Sequence, residues 1–159
     1  MRRPRVLGMV ATLAITGAAQ WADAASLAPR VTVQDEGRKN HVVTILGANL
    51  IMVAGLNRAL VTPPLTALDR HLQARLSAGE PAVVYPEVVL SIVKTAVLRG
   101  WSGADSAAVL AGALKKIDEG HSPEMTRQKV VLAIVRNERA PAVLAGLAAE
   151  APSGTLVPQ

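Results

Sequence analysis

The chain contains no cysteine and no phenylalanine, and its only rings besides three histidines are two tryptophans and one tyrosine. Without cysteine there can be no disulfide, no thiolate metal site and no cysteine nucleophile. Lipid attachment at an export signal, which needs a cysteine at the cleavage point, is excluded as well. An exported chain of this kind must be stabilised by packing alone. With so few rings, the core has to be Val, Leu, Ile and Ala. Such side chains suit close helix packing better than an aromatic-lined ligand pocket. Dense Lys/Arg clusters are also missing, and there are almost no rings on which bases could stack. Nucleic-acid binding is therefore not expected.

What is present begins with an export signal. Arg2, Arg3 and Arg5 form a positive head, residues 6–19 are apolar and uncharged, and Ala22-Asp23-Ala24 supplies the small-x-small pattern of a cleavage site. Residues 1–24 are read as a signal peptide and Ala25 as the first mature residue. Its removal takes away three arginines and Asp23, leaving 14 basic and 11 acidic residues, a net +3. That mild excess favours anionic surfaces such as phospholipid heads. The preference for Ala, Arg, Val, Leu and Gly over Phe, Asn and Lys points to a GC-rich bacterial genome.

The rest divides into a polar lead-in arm at 25–40, a helical domain at 41–150 and a disordered tail at 151–159. Val31-Thr32-Val33 alternates like a short strand and Asp35-Glu36-Gly37 reads as a turn. An extended arm is preferred over a hairpin, because one isolated hairpin is marginal. Val42, Leu46, Leu50, Val53, Leu56 and Leu60 recur at helical spacing, so residues 41–61 are expected to form one helix that is apolar nearly all round. Such a helix is either the centre of a bundle or a membrane span. Its uncharged stretch at 42–56 is 15 residues, short of the roughly 20 that a bilayer requires, so a central core helix is preferred.

Thr62-Pro63-Pro64 is expected to restart the chain in a second helix, with Leu65, Leu68, Leu72 and Leu76 as its apolar stripe and Gly79 as its end. Later helices open at Pro86, Ser102, Ser122 and Ala140. Arg99-Gly100-Trp101-Ser102 and Glu119-Gly120-His121-Ser122 share one turn grammar: a left-handed glycine, one residue, then a serine N-cap. The fold class is thus all-α, a small bundle or short helical-repeat array of five to six helices.

The motifs of chemistry are sparse. His41, His71 and His121 are far apart in sequence, and the i,i+2 neighbours of His71 point to other helix faces. Gly100-Trp101-Ser102-Gly103 resembles a nucleophile elbow but lies between helices, where a cap explains it. No carboxylate pair, cofactor site or metal site is expected. Contact residues are the better candidates. Trp101 is either a lid on the core or an exposed anchor for a partner. Arg127, Lys129, Arg136 and Arg139 make the helix after Ser122 the most basic, with Arg136 and Arg139 near its C-terminus.

The residues therefore point to an exported, non-enzymatic interaction module in the bacterial periplasm or outside the cell, with a protein or envelope component as partner. The alternative is an envelope protein held in the inner membrane by an uncleaved N-terminal segment, with a second span at 42–61. An enzyme of undefined type is the minor alternative. Mass spectrometry of the protein from its host is expected to find the N-terminus at Ala25. An intact chain beginning at Met1 in the cytosol would refute export.

Overall fold

The computed structural model describes residues 29–150, so the segments expected as a signal peptide, 1–24, and as a tail, 151–159, lie outside the described residues. Within them the protein is mainly helical. A strand β1 (Val31–Val33) leads into helix α1 (Glu36–Ala48), which continues as a wide π-helical turn (Asn49–Val53). Helix α2 (Arg58–Ser77), strand β2 (Ala82–Val84) and helices α3 (Pro86–Leu98), α4 (Gly103–Asp118), α5 (Pro123–Val135) and α6 (Ala140–Ala148) follow.

Three of the turns obey one rule, and a fourth obeys it with a different residue. Gly79, Gly100 and Gly120 have φ of 77°, 81° and 106°, and Asn137 takes φ 69° in the same role. After each, the next N–H reaches back five residues: Trp101 N–H donates to the Ala96 carbonyl at 3.0 Å and His121 N–H to the Lys116 carbonyl at 3.1 Å. This pairing closes orphan carbonyls at the helix end and needs a left-handed residue, which glycine or asparagine supplies at least cost. The serines then cap as expected. Ser102 Oγ accepts from Asp105 N–H and Ser122 Oγ from Met125 N–H.

The core is aliphatic. Helix α4 buries Val109, Leu110, Ala113 and Leu114 at helical spacing and packs on α2, α3, α5 and α6. Its largest interface is with α2, whose Val61, Pro64, Leu68 and Leu72 are buried. A Cβ at Gly103 would stand 2.6 Å from Pro63 Cγ, so only glycine permits this approach of α4 to α2.

Several expectations need correcting. The centre of the bundle is α4, not the segment 41–61, which is not one helix. Helix α1 begins five residues earlier, at Glu36, because Asp35 is an N-cap whose Oδ1 accepts from Arg38 N–H at 2.8 Å. The Asp35-Glu36-Gly37 signal is therefore a helix start rather than a turn. The strand at Val31–Val33 is neither a free arm nor half of a local hairpin. It pairs antiparallel with β2, with Val31 opposite Val84 and Val33 opposite Ala82. Val33, Ala82 and Val84 are buried, so the far end of the chain segment is sealed to the bundle by apolar contact.

The expected stripe holds at Val42 and Leu46 of α1 and at Leu50 in the π-helical turn, which are buried, and fails at Val53. The π-helical turn inserts one extra residue per turn and rotates Val53 into solvent. Gly55 ends the segment at φ 72°, and Leu56 folds back beneath it. The segment 42–61 is thus broken at residues 49–57 and does not form the one continuous helix expected of it. Among the described residues no helix is long and apolar enough to cross a membrane.

Pro63 and Pro64 do not open a helix. Asn57 caps α2 six residues earlier, its Oδ1 accepting from Ala59 N–H at 2.8 Å. Both prolines lie inside α2 and remove two intrahelical N–H donors. The Pro63 ring lies against Gly103 of α4 and Pro64 is buried, contacts that oppose that loss. Gly120→Val should destabilise the protein by roughly 1 kcal/mol or more through its positive φ, and Ser122→Ala by about 1 kcal/mol through the lost cap. Urea denaturation of the two variants checks this; wild-type midpoints in both would place the α4–α5 boundary elsewhere.

Candidate functional site

Helix α5 shows two faces. Thr126, Val130 and Ile134 point inward and are buried. On the outside, Met125, Leu132 and Val135 are exposed to 55%, 47% and 41%. Residues seven apart share a helix face, and Val135 extends the row by three, so these side chains form one apolar strip.

The four cations expected as partner contacts divide into two pairs. Arg127 is bound to Glu124 one turn earlier, Nε to Oε2 at 3.3 Å. The hydrogen bond to this guanidinium holds Glu124 below the usual carboxylate range, and the same bond, with Glu87 of α3 adding a smaller effect, raises Arg127. Lys129 forms an ion pair with Glu150 beyond α6. Arg136 and Arg139 make no ion pair among the described residues and flank the α5–α6 turn. Arg136 sits at the C-cap of α5, where the helix dipole favours it. Arg139 does not share that setting: it precedes α6, at the positive end of that helix.

Trp101 is 6% exposed and belongs to the core. It follows the left-handed Gly100, a position whose side chain folds back on the preceding helix. Its ring covers the end of the bundle and is not available as an anchor. His121 occupies the equivalent place after Gly120 and is likewise buried. Its Nδ1 lies 3.6 Å from Glu150 Oε1, and its Nε2 is buried without a hydrogen-bond partner.

Two polar groupings cross between helices and carry no sequence signal. Glu150 gathers Lys129, His121 and Lys116, whose Nζ donates to the Glu150 carbonyl at 3.4 Å. This clamps the end of α6 to α4 and α5. On the other side, His71 of α2 lies 3.1 Å from Asp118 of α4, and Arg75 reaches both Asp118 and Glu80. Their sequence separation of 47 residues hid this pair.

Several grooves open on the surface, two of them beside the exposed apolar side chains. One, of about 230 Å³, runs between α5 and α6 past Val130, Val143 and Leu147, with Lys129 and Glu150 at its rim. The other lies between α1 and α2. Neither is lined by His71 or Asp118. The His71 pair thus has hydrogen-bonding geometry but no adjoining groove of these two. Among the described residues no group of three or more His, Asp or Glu is gathered as metal ligands would be. Comparison with protein-family models, with curated proteins and with solved structures finds no match to this chain.

The His71 environment has a consequence for stability. Burial lowers its pKa, the Asp118 carboxylate partly opposes this, and Arg75 adds to the lowering. The folded protein therefore resists a proton that the unfolded chain accepts near pH 6.5. Stability contributed by neutral His71 is present above that value and falls as pH drops through it. Urea midpoints are expected to decline from about pH 7.5 to about pH 5.5, and His71→Gln should flatten part of that decline. An identical slope in the variant would remove His71 as its source.

Proposed function

We propose that this chain is an exported, non-enzymatic helical interaction module of the bacterial envelope that presents the outer face of α5 to a protein partner. One observation carries the reading: the strip Met125, Leu132 and Val135 ends beside two arginines that have no ion-pair partner among the described residues. An apolar centre with a charged rim is the anatomy of a protein contact surface. Arg136 and Arg139 would meet carboxylates on the partner, which would set orientation and speed of encounter more than affinity.

Arg127 and Lys129 have another role in this reading. The Lys129–Glu150 ion pair ties α5 to the end of α6, and the Arg127–Glu124 pair braces the first turns of α5 itself, so the strip is held rigid. A rigid helix face loses less entropy on binding than a mobile one. Export is supported by the Arg-rich head, the apolar run and Ala22-Asp23-Ala24.

The test is a photo-crosslinking amino acid placed at Leu132 of the full chain in its host, with the exposed Ala104 of α4 as control. A discrete adduct from position 132 and none from 104 is expected. Reversing both Arg136 and Arg139 to Glu should reduce its yield several-fold without changing the circular dichroism. Equal labelling from both positions, or an adduct indifferent to the two reversals, would overturn this assignment.

A further inference from the structure

The second groove lies on the opposite part of the chain and has a different chemistry. It measures about 380 Å³, within the range of roughly 300–1,000 Å³ typical of ligand sites. Val43, Ala48, Ile51 and Leu65 line it, and Met52 and Arg58 stand at its margin. No carboxylate contributes to the lining. Met52 and its neighbour Val53 are 80% and 79% exposed, the two most exposed large apolar side chains among the described residues.

Their exposure is built in. The π-helical turn ends α1, rotates these residues outward and leaves them on a projecting corner closed by Gly55. Wide turns of this kind cost helical regularity and recur at functional sites. Along the chain through the corner the charge is of one sign. From residue 37 to residue 68 the chain contains no Asp or Glu. Asp69, the first carboxylate on α2, is about 16 Å along the axis from Arg58 and is engaged by the buried Lys39 at 3.0 Å. Arg58 is exposed and makes no ion pair among the described residues, and the positive end of the α2 dipole adds to its field.

We propose that this corner docks on an anionic membrane surface, with Met52 and Val53 entering the headgroup boundary, Arg58 binding lipid phosphate and the α1–α2 groove receiving part of one acyl chain. An exposed apolar pair favours transfer out of water, and a neighbouring cation selects anionic headgroups. The α5 face plays no part in this contact, so the two readings fail separately.

The absence of cysteine makes the test direct. Met52→Cys in the full chain gives a single thiol for an environment-sensitive fluorophore, and Arg70→Cys gives a label on exposed α2 as control. Vesicles of phosphatidylcholine with phosphatidylglycerol are expected to raise and blue-shift the emission at position 52 and to leave position 70 unchanged. Because any apolar N-terminal residues are common to both labelled chains, only the local response counts. Arg58→Glu should weaken the titration at position 52 about tenfold or more, since each basic residue near an anionic surface contributes on the order of 1 kcal/mol. Helical circular dichroism in every variant excludes unfolding as the cause. No response at position 52, or an equal response to pure phosphatidylcholine, overturns the proposal. A shift that grows with protein concentration without vesicles would assign the corner to a second copy of the chain. A response to inorganic phosphate alone would make it a soluble-anion site.

Discussion

The approach of α4 to α2 governs the whole molecule. Gly103 meets Pro63 with no room for a side chain between them. That contact puts the start of α4 against the proline pair of α2 and lets the aliphatic stripes below interlock. Every later helix depends on the result, because α3, α5 and α6 all pack on α4. Small side chains make such proximity productive. Dispersion falls steeply with separation, so an Ala- and Val-rich core gains contact energy only when its backbones come close.

Around this centre the edges are held by pairings distant in sequence. β1 closes on β2, Lys39 on Asp69, His71 on Asp118, and Glu150 on Lys129. Each ties an element to a neighbour that local propensity could not have chosen. The buried lysine is the most demanding of them. Removing Asp69 would leave its charge uncompensated, which costs far more than the pair contributes.

The interior is closed by side chains that resemble functional ones in sequence. Trp101 and His121 lie in turns between helices, where rings are often displayed, yet both fold back over the core. The same backbone motif decides both. Exposure is instead found where helical regularity ends or where one face of a helix lacks a neighbour: the corner at Met52 and Val53, and the strip on α5. The two differ in chemistry, one a projecting apolar lip beside an unpaired cation, the other a rigid helical face between fixed ion pairs. Under the two proposals, one small module would meet a membrane at the first surface and a protein partner at the second.

Local physics was legible in the sequence. Serine caps at 102 and 122, left-handed glycines at 100 and 120, the helix end at Gly79, and the stripes Leu68 with Leu72 and Val42 with Leu46 follow from backbone sterics and helical period alone. So does the helical class of the fold. The choice among competing local signals was not legible. Asp35 can cap a helix or begin a turn, and Pro63 can open a helix or sit inside one. The outcome turned on what packs against each, namely β2 beside β1 and Gly103 on Pro63. The centre of the bundle was likewise decided by contacts, since the most apolar segment lies at its side and α4 in its middle. Burial of Trp101, the union of His71 with Asp118 and the exposure of Met52 belong to the same class. They depend on which residues become neighbours in space, and residues dozens of positions apart carry no local mark of one another.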